Sequence, residues 1–207
     1  MTRTYTAITT LLSFTLTMVF TASSAQKSDD SWRIGLSAGM NTSALLGDPD
    51  GNFQKIGVTA GVIAYKPMSE KSSFETGLYF FQKGVRIQPN LDLNIFSDYR
   101  LSLNYLDVPL LYVYRISRLE VELGPSLGIL ISQNEEDLEA QTSGSPGFNL
   151  LEVAANAGVR WRAADNFRLG LRYHLALLPS QSLTAGGIST LRGRHNHAIV
   201  LYGTFLF

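Results

Sequence analysis

Apolar residues occupy every second position over long stretches of this chain. In "WRIGLSAGMN", Trp32, Ile34, Leu36, Ala38 and Met40 alternate with Arg33, Gly35, Ser37, Gly39 and Asn41, the period of a strand with two unlike faces. The same alternation sets Val58, Ala60, Val62 and Ala64 against Gly57, Thr59 and Gly61, and Phe74, Thr76, Leu78 and Phe80 against Glu75, Gly77 and Tyr79. A fourth segment opposes Leu106, Val108, Leu110, Tyr112 and Tyr114 to Tyr105, Asp107, Pro109 and Arg115, although Leu111 and Val113 blur the contrast. The fifth sets Leu119, Val121, Leu123, Leu127 and Ile129 against Glu120, Glu122, Gly124, Ser126 and Gly128. In the sixth, Leu151, Val153, Ala155, Ala157, Val159 and Trp161 face away from Glu152, Asn156, Gly158, Arg160 and Arg162. The seventh is the clearest: Phe167, Leu169, Leu171, Tyr173, Leu175 and Leu177 alternate with Arg168, Gly170, Arg172, His174 and Ala176. A last segment from His197 carries Ile199, Leu201, Phe205 and Phe207 on one face.

Each segment is near the ~9–11 residues that a tilted strand needs to cross a bilayer. The connections alternate too: 42–55, 85–100, 132–149 and 179–195 are long and polar, whereas 66–71, 116–118 and 163–166 are short. This pattern predicts an all-β fold, an eight-stranded antiparallel up-and-down transmembrane β-barrel, with long loops at the cell surface and tight turns and both mature termini in the periplasm. A soluble eight-stranded barrel with an apolar cup is the rival.

Three features favour the membrane form. The face bearing Arg33, Glu75, Asp107, Glu120, Glu122, Glu152, Arg160, Arg168 and Arg172 is also rich in Gly and Ala, which suits a crowded interior; these nine charges are expected to pair across the lumen. Trp32, Phe74, Tyr112, Tyr114, Trp161, Phe167, Phe205 and Phe207 collect where the apolar face meets the short turns, as an interfacial aromatic girdle would. A closed barrel in lipid also leaves no unpaired edge, so the final strand is expected to pair to its last residue. Eight strands enclose an interior that side chains can fill, so the lumen is expected to be plugged rather than open.

Composition adds limits. Across 207 residues there are 17 Lys plus Arg, 17 Asp plus Glu and no Cys, which gives no basic excess for nucleic acid and excludes disulfides and thiol catalysis. Arg3, the apolar stretch 7–20 and the small residues Ser23, Ser24 and Ala25 read as a cleaved signal peptide over 1–25, leaving a barrel domain over 26–207. Loss of Arg3 leaves 16 cations against 17 acids, a net charge of −1. No later run of about 18 apolar residues suggests a membrane helix.

The segments "GLSAGMNTSAL" (35–45), "GVTAGVIAY" (57–65), "FETGLYFFQKGVR" (74–86), "LNYLDVPLLYVY" (103–114), "VELGPSLGIL" (121–130) and "LGLRYHLAL" (169–177) cover most of the mature chain. In these segments the chain resembles the outer-membrane β-barrel family of Bacteroidota that includes the PorT-like proteins. "YLDVPLL" and "LGPSLG" are the more specific matches, because proline within a strand is uncommon. The resemblance implies a small outer-membrane barrel whose named relatives are linked to type IX secretion and to surface roles, and it carries no catalytic residues.

Candidate chemistry is sparse. His174, His195 and His197 are the available general bases beside Ser180, Ser182 or Ser189, but no spacing of nucleophile, base and acid stands out, so no catalytic residue is assigned. "HNH" (195–197) offers two imidazoles without a third ligand, and "GDPDGN" (47–52) reads as a turn, so no metal or cofactor is expected. "NEEDLEA" (134–140) reads as a solvated acidic loop, with divalent bridging to lipopolysaccharide as its one candidate role. Outer-membrane lipid and lipopolysaccharide, the barrel-assembly machinery during insertion and an envelope or secretion protein are the expected partners. Nucleic acid is not.

Overall fold

A computed structural model describes residues 31–46, 53, 55–87, 99–137, 149–179, 181–182 and 193–207; the expected signal segment and the "GDPDGN" turn lie outside them. The strands are β1 (Arg33–Leu46), β2 (Lys55–Pro67), β3 (Ser72–Ile87), β4 (Tyr99–Ile116), β5 (Leu119–Asp137), β6 (Leu151–Arg162), β7 (Phe167–Ala176), β8 (Gln181–Ser182) and β9 (Gly193–Leu206). β1 to β7 pair with their sequence neighbours, β9 pairs with β7, and β9 closes the sheet on β1 in antiparallel register from Gly35↔Leu206 to Leu46↔His195. The two-residue β8 only extends the sheet beside Gly193 and Arg194. The result is a closed, eight-stranded antiparallel barrel. Phe207 N–H donates to Ile34 O at 2.9 Å, so the seam is paired to the final residue.

The alternation sorts side chains by face. Leu36, Met40, Val58, Val62, Leu78, Leu123, Leu171 and Leu201 are exposed on the outer wall, while Glu75, Glu120, Glu122, Arg160 and Arg168 are almost wholly buried inside. A soluble barrel would carry its charge outside; this inversion suits a wall that meets hydrocarbon. Among the described residues no helix is long and apolar enough to cross a membrane.

The strands run further than the alternation suggests. β2–β3 pairing stops at Thr59↔Phe81 and β5–β6 pairing at Ile129↔Leu151, yet β3–β4 continues to Ile87↔Tyr99 and β4–β5 to Tyr99↔Asp137. Strands β3, β4 and β5 thus extend past the wall as a three-stranded flap. Segment 85–100 is therefore not all loop, and Asn134–Asp137 of the acidic segment belong to β5. The terminal strand likewise starts at Gly193, four residues before the expected His197.

The cause is a change of phase. Below the flap the apolar residues of β4 are the outward Leu106, Val108 and Leu110; within it they are the inward Leu101, Leu103 and Tyr105. A bulge between Asn104 and Tyr105 marks the switch. On the outer face the flap is polar: Gln82 Nε2 donates to Asn104 Oδ1 at 3.2 Å and Asn104 Nδ2 donates to Ser132 Oγ at 2.8 Å. This polar ladder sits directly above the apolar row Phe80, Leu106 and Ile129, where the apolar outer wall ends.

The aromatic residues gather at the other end of the outer wall. Trp32 packs edge-on against Phe74 at 6.3 Å, Phe205 against Phe207 at 5.5 Å, and the register sets Phe74 beside Tyr112 and Phe167 beside Phe205. All eight expected girdle residues lie on the outer wall at the short-turn end. From Tyr114 to Leu106 the strand advances about 26 Å at ~3.3 Å per residue, or roughly 20 Å after a tilt of ~40°, enough for a thin bilayer.

This placement makes the cost of an outward charge depend on its height. Leu201 lies midway between Phe205 and His197 on the lipid wall, so Leu201→Arg should lower unfolding stability in vesicles by about 2–4 kcal/mol, whereas Ser132→Arg on the polar ladder should cost about 0–1 kcal/mol. Urea titrations of refolded protein would give equal costs if the lipid-facing band were misplaced.

Candidate functional site

Inward positions of β3, β5, β6 and β7 build a charge network at the turn half of the lumen. The β5–β6 register puts Glu120 beside Arg160 and Glu122 beside Gly158, and the β6–β7 register puts Arg172 on the far side of that glycine. A Cβ on Gly158 would lie 2.6 Å from Glu122 Oε1, so only glycine lets Glu122 and Arg172 meet. Arg172 Nε and Nη2 donate to the two Glu122 oxygens at 2.6 and 3.1 Å, a bidentate pair. Arg160 reaches across the tube, with Nη1 donating to Glu75 Oε2 at 2.5 Å while its Nε lies 3.4 Å from Glu120 and 3.5 Å from Glu122. Arg168 Nε donates to Glu120 Oε2 at 3.3 Å. Three guanidiniums therefore balance three carboxylates.

Aromatic faces complete the packing. Arg168 lies 4.9 Å from the Tyr65 ring centroid, and Arg172 lies 4.7 Å from Tyr202 and 5.9 Å from Tyr79, within cation–π range. Gly170 gives Tyr202 its place, since a Cβ there would stand 2.4 Å from the ring.

A second cluster lies toward the loop end. Lys83 pairs with Glu152, its Nζ is 2.7 Å from His174 Nε2, and the rings of Phe81 and Tyr105 flank it at 4.3 and 4.9 Å. His174 Nδ1 donates to Asn156 Oδ1 at 2.9 Å, leaving Nε2 to accept from Lys83. Asn196 Nδ2 donates to Glu152 Oε2 at 2.9 Å. Toward the loop end Val85 and Leu101 form an apolar cap on this cluster, in one apolar group with Leu103, Ala198 and Val200 at its own level or below.

Between the clusters Asp107, Tyr79, Asn156 and Arg172 border a void of about 10 Å³, room for about one water. Asp107 Oδ1 and the Tyr79 hydroxyl have no hydrogen-bond partner among the described residues. A single bridging water would satisfy both.

Of the nine charges expected inside, Glu75, Glu120, Glu122, Arg160, Arg168 and Arg172 form the first network, and Glu152 belongs to the second. Asp107 is buried at the void with no ion pair among the described residues. Arg33 does not join: it is half-buried at the turn-end mouth with no ion pair among the described residues. At the first position of β1 it is too far down the wall to reach the network. Lys83 was not among the expected charges, nor were Tyr65 and Tyr202 among the expected inward residues, whereas Tyr79 lies on the Glu75 face as the alternation set it. Lys83 continues the inward series Tyr79, Phe81, Lys83, which the change of phase in β3 conceals.

The histidines are dispersed. His174 is wholly buried in the lumen, whereas His197 points outward, with Nδ1 3.1 Å from the Tyr173 hydroxyl and its ring 4.5 Å from Phe53. His195 Nδ1 donates to Ala176 O at 3.2 Å. No group of three metal-binding side chains occurs among the described residues, and Ser180 and Ser189 lie outside them.

Three variants test the packing. Glu75→Ala should cost about 3–5 kcal/mol by stranding Arg160, and the double change Glu75→Met with Arg160→Met should recover most of that loss. Gly170→Ala should cost about 1–3 kcal/mol by displacing Tyr202. Denaturant unfolding in lipid vesicles measures all three, and a neutral Glu75→Ala would show that the pair is not closed.

Comparison with known proteins comes down to the fold. No curated protein matches the sequence. The structure is similar to Neisserial surface protein A, with 11% identity, 87% of this chain and 98% of that one covered and a TM-score of 0.50. It is also similar to Ail, the attachment invasion locus protein of Yersinia pestis, with 14% identity, 84% and 98% covered and a TM-score of 0.48. Residues 22–182 match the model of the outer membrane protein beta-barrel domain. With the closed eight-stranded sheet and the lipid-facing wall, that match makes this chain a member of the outer membrane β-barrel domain family.

Proposed function

We propose that the protein is a non-enzymatic outer-membrane barrel with a plugged lumen, serving surface interaction, envelope integrity or secretion support through its long-loop end. The observation that carries this reading is the Arg160–Glu75 bridge across the tube, stacked beneath the Lys83–Glu152–His174 cluster and the apolar cap. The void between the two charge clusters holds about one water, which supports a wall-to-wall plug over a route for solutes. The lumen histidine is engaged by Asn156 and Lys83 with no access from either mouth, which supports a structural role over catalysis.

Recognition then falls to the loop end, where β3, β4 and β5 reach furthest. Lipopolysaccharide and an envelope or secretion protein are the proposed partners there. In this reading residues 1–25 are cleaved on export, the barrel-assembly machinery inserts the mature chain, and the short turns face the periplasm. The finer PorT-like affiliation in Bacteroidota belongs to this proposal and rests on the "YLDVPLL" and "LGPSLG" segments.

Purified protein in planar bilayers should show no stable, sizeable conductance. Reproducible ohmic channels that disappear when the lumen is narrowed would overturn the plug and favour a narrow passive pore. Replacing 183–192 with a short Gly-Ser turn should leave heat-modifiable gel migration intact while changing capture of envelope partners; loss of folding would make the segment structural instead.

A further inference from the structure

The outer wall at the short-turn end carries a charge pattern that the lumen does not use. Lys66 lies on the outward face of β2 with Nζ 5.8 Å from the Trp32 ring centroid. Lys71 and Arg118 are exposed in the β2–β3 and β4–β5 turns. Among the described residues the exposed acids at this level are Glu70 and Asp165, so these three cations exceed them by 3 − 2 = +1. Arg33 and Arg162, half-buried and on the inward parity, add two more cations at the mouth, while Arg115 leans back on buried Glu120 at 3.8 Å.

We infer that this rim binds the phosphate headgroups of anionic phospholipids in the leaflet next to the short turns. The girdle fixes the interface at the level of Trp32, Phe74 and Phe205, and the cations stand at that level or one turn beyond it. Long cationic side chains beside interfacial aromatics extend their apolar stems along the wall and leave the charge among headgroups. The Lys66–Trp32 contact is this arrangement. Turns of two to four residues hold Lys71 and Arg118 against the wall, so they cannot reach far into the aqueous phase. Their spread around the circumference, on β2 and two separate turns, fits several independent phosphates better than one acidic protein. The inference rests on the membrane-spanning reading, but not on which aqueous compartment the turns face.

The test uses the full mature protein in matched nanodiscs of phosphatidylcholine with or without phosphatidylglycerol. After transfer to mild detergent, native mass spectrometry should find phosphatidylglycerol retained several-fold over its share of the mixture. The combined Lys66→Gln, Lys71→Gln and Arg118→Gln variant should lose that preference, whereas the Lys66→Arg and Lys71→Arg variant should keep it. Arg100→Gln, on the exposed flap at the opposite end, should leave it unchanged. Equal retention of both lipids by inserted wild type, or a preference that survives the triple substitution or falls with Arg100→Gln, would overturn the rim assignment alone. Protein that does not enter nanodiscs at all would overturn the spanning reading and the rim with it. Should the triple variant fail to fold, Lys71→Gln and Arg118→Gln singly should each lower the preference, and no change in either would count against the rim.

Discussion

A charge inside this barrel has no bulk water to turn to, and the rest of the structure follows from that constraint. The wall commits one face to hydrocarbon, so every polar side chain on the other face must find its partner within a tube only eight strands around. Arg160 answers to carboxylates from β3 and β5, and Arg172 is clasped by Glu122 between two tyrosine rings. The Arg160–Glu75 and Arg172–Glu122 pairs tie together strands that share no backbone hydrogen bonds. Ion pairs of this kind contribute little net stability against an apolar equivalent; what they add here is a fixed cross-section.

Small residues make that cross-section possible. Gly158 and Gly170 stand beside the bulkiest inward groups, and each leaves the volume that a neighbouring carboxylate or ring occupies. Glycine in a strand weakens it locally, so its position against Glu122 and Tyr202 shows where packing outweighs strand propensity. Toward the loop end the balance changes from charge to hydrocarbon, with Leu101 and Val85 closing the tube above Lys83.

The outer wall was legible in the sequence because period two survives wherever one side faces lipid. Strand number, closure, the girdle and most of the inward charges follow from it. The flap was not legible, because Leu101, Leu103 and Tyr105 carry their apolar set on odd positions and Leu106, Val108 and Leu110 on even ones, so the alternation cancels at the junction. Lys83 was lost in the same way, sitting between Phe81 and Val85 where a periodicity argument expects only hydrocarbon. Pairing across the lumen was expected, but which partners meet was beyond reach: nothing in the spacing of Glu75 and Arg160, 85 residues apart, says that two strands separated by two others will bring them together. Arg33 shared the parity of the lumen charges but not their height, a coordinate that alternation does not encode.

The seam between β1 and β9 has a consequence for the order of assembly. Thr204 Oγ1 donates to Ser37 Oγ at 3.3 Å across 167 residues of sequence, while the other barrel ladders join strands adjacent in the chain or separated only by the short β8. Hairpins can therefore form early and locally, but the ring cannot close before the last strand arrives. Closure of so long a loop is the slow kind of contact, and until it forms β1 and β9 both present open edges to any neighbouring chain. The final strand thus acts as a timing element: it decides when the protein stops being a sheet that others can join and becomes a barrel that they cannot.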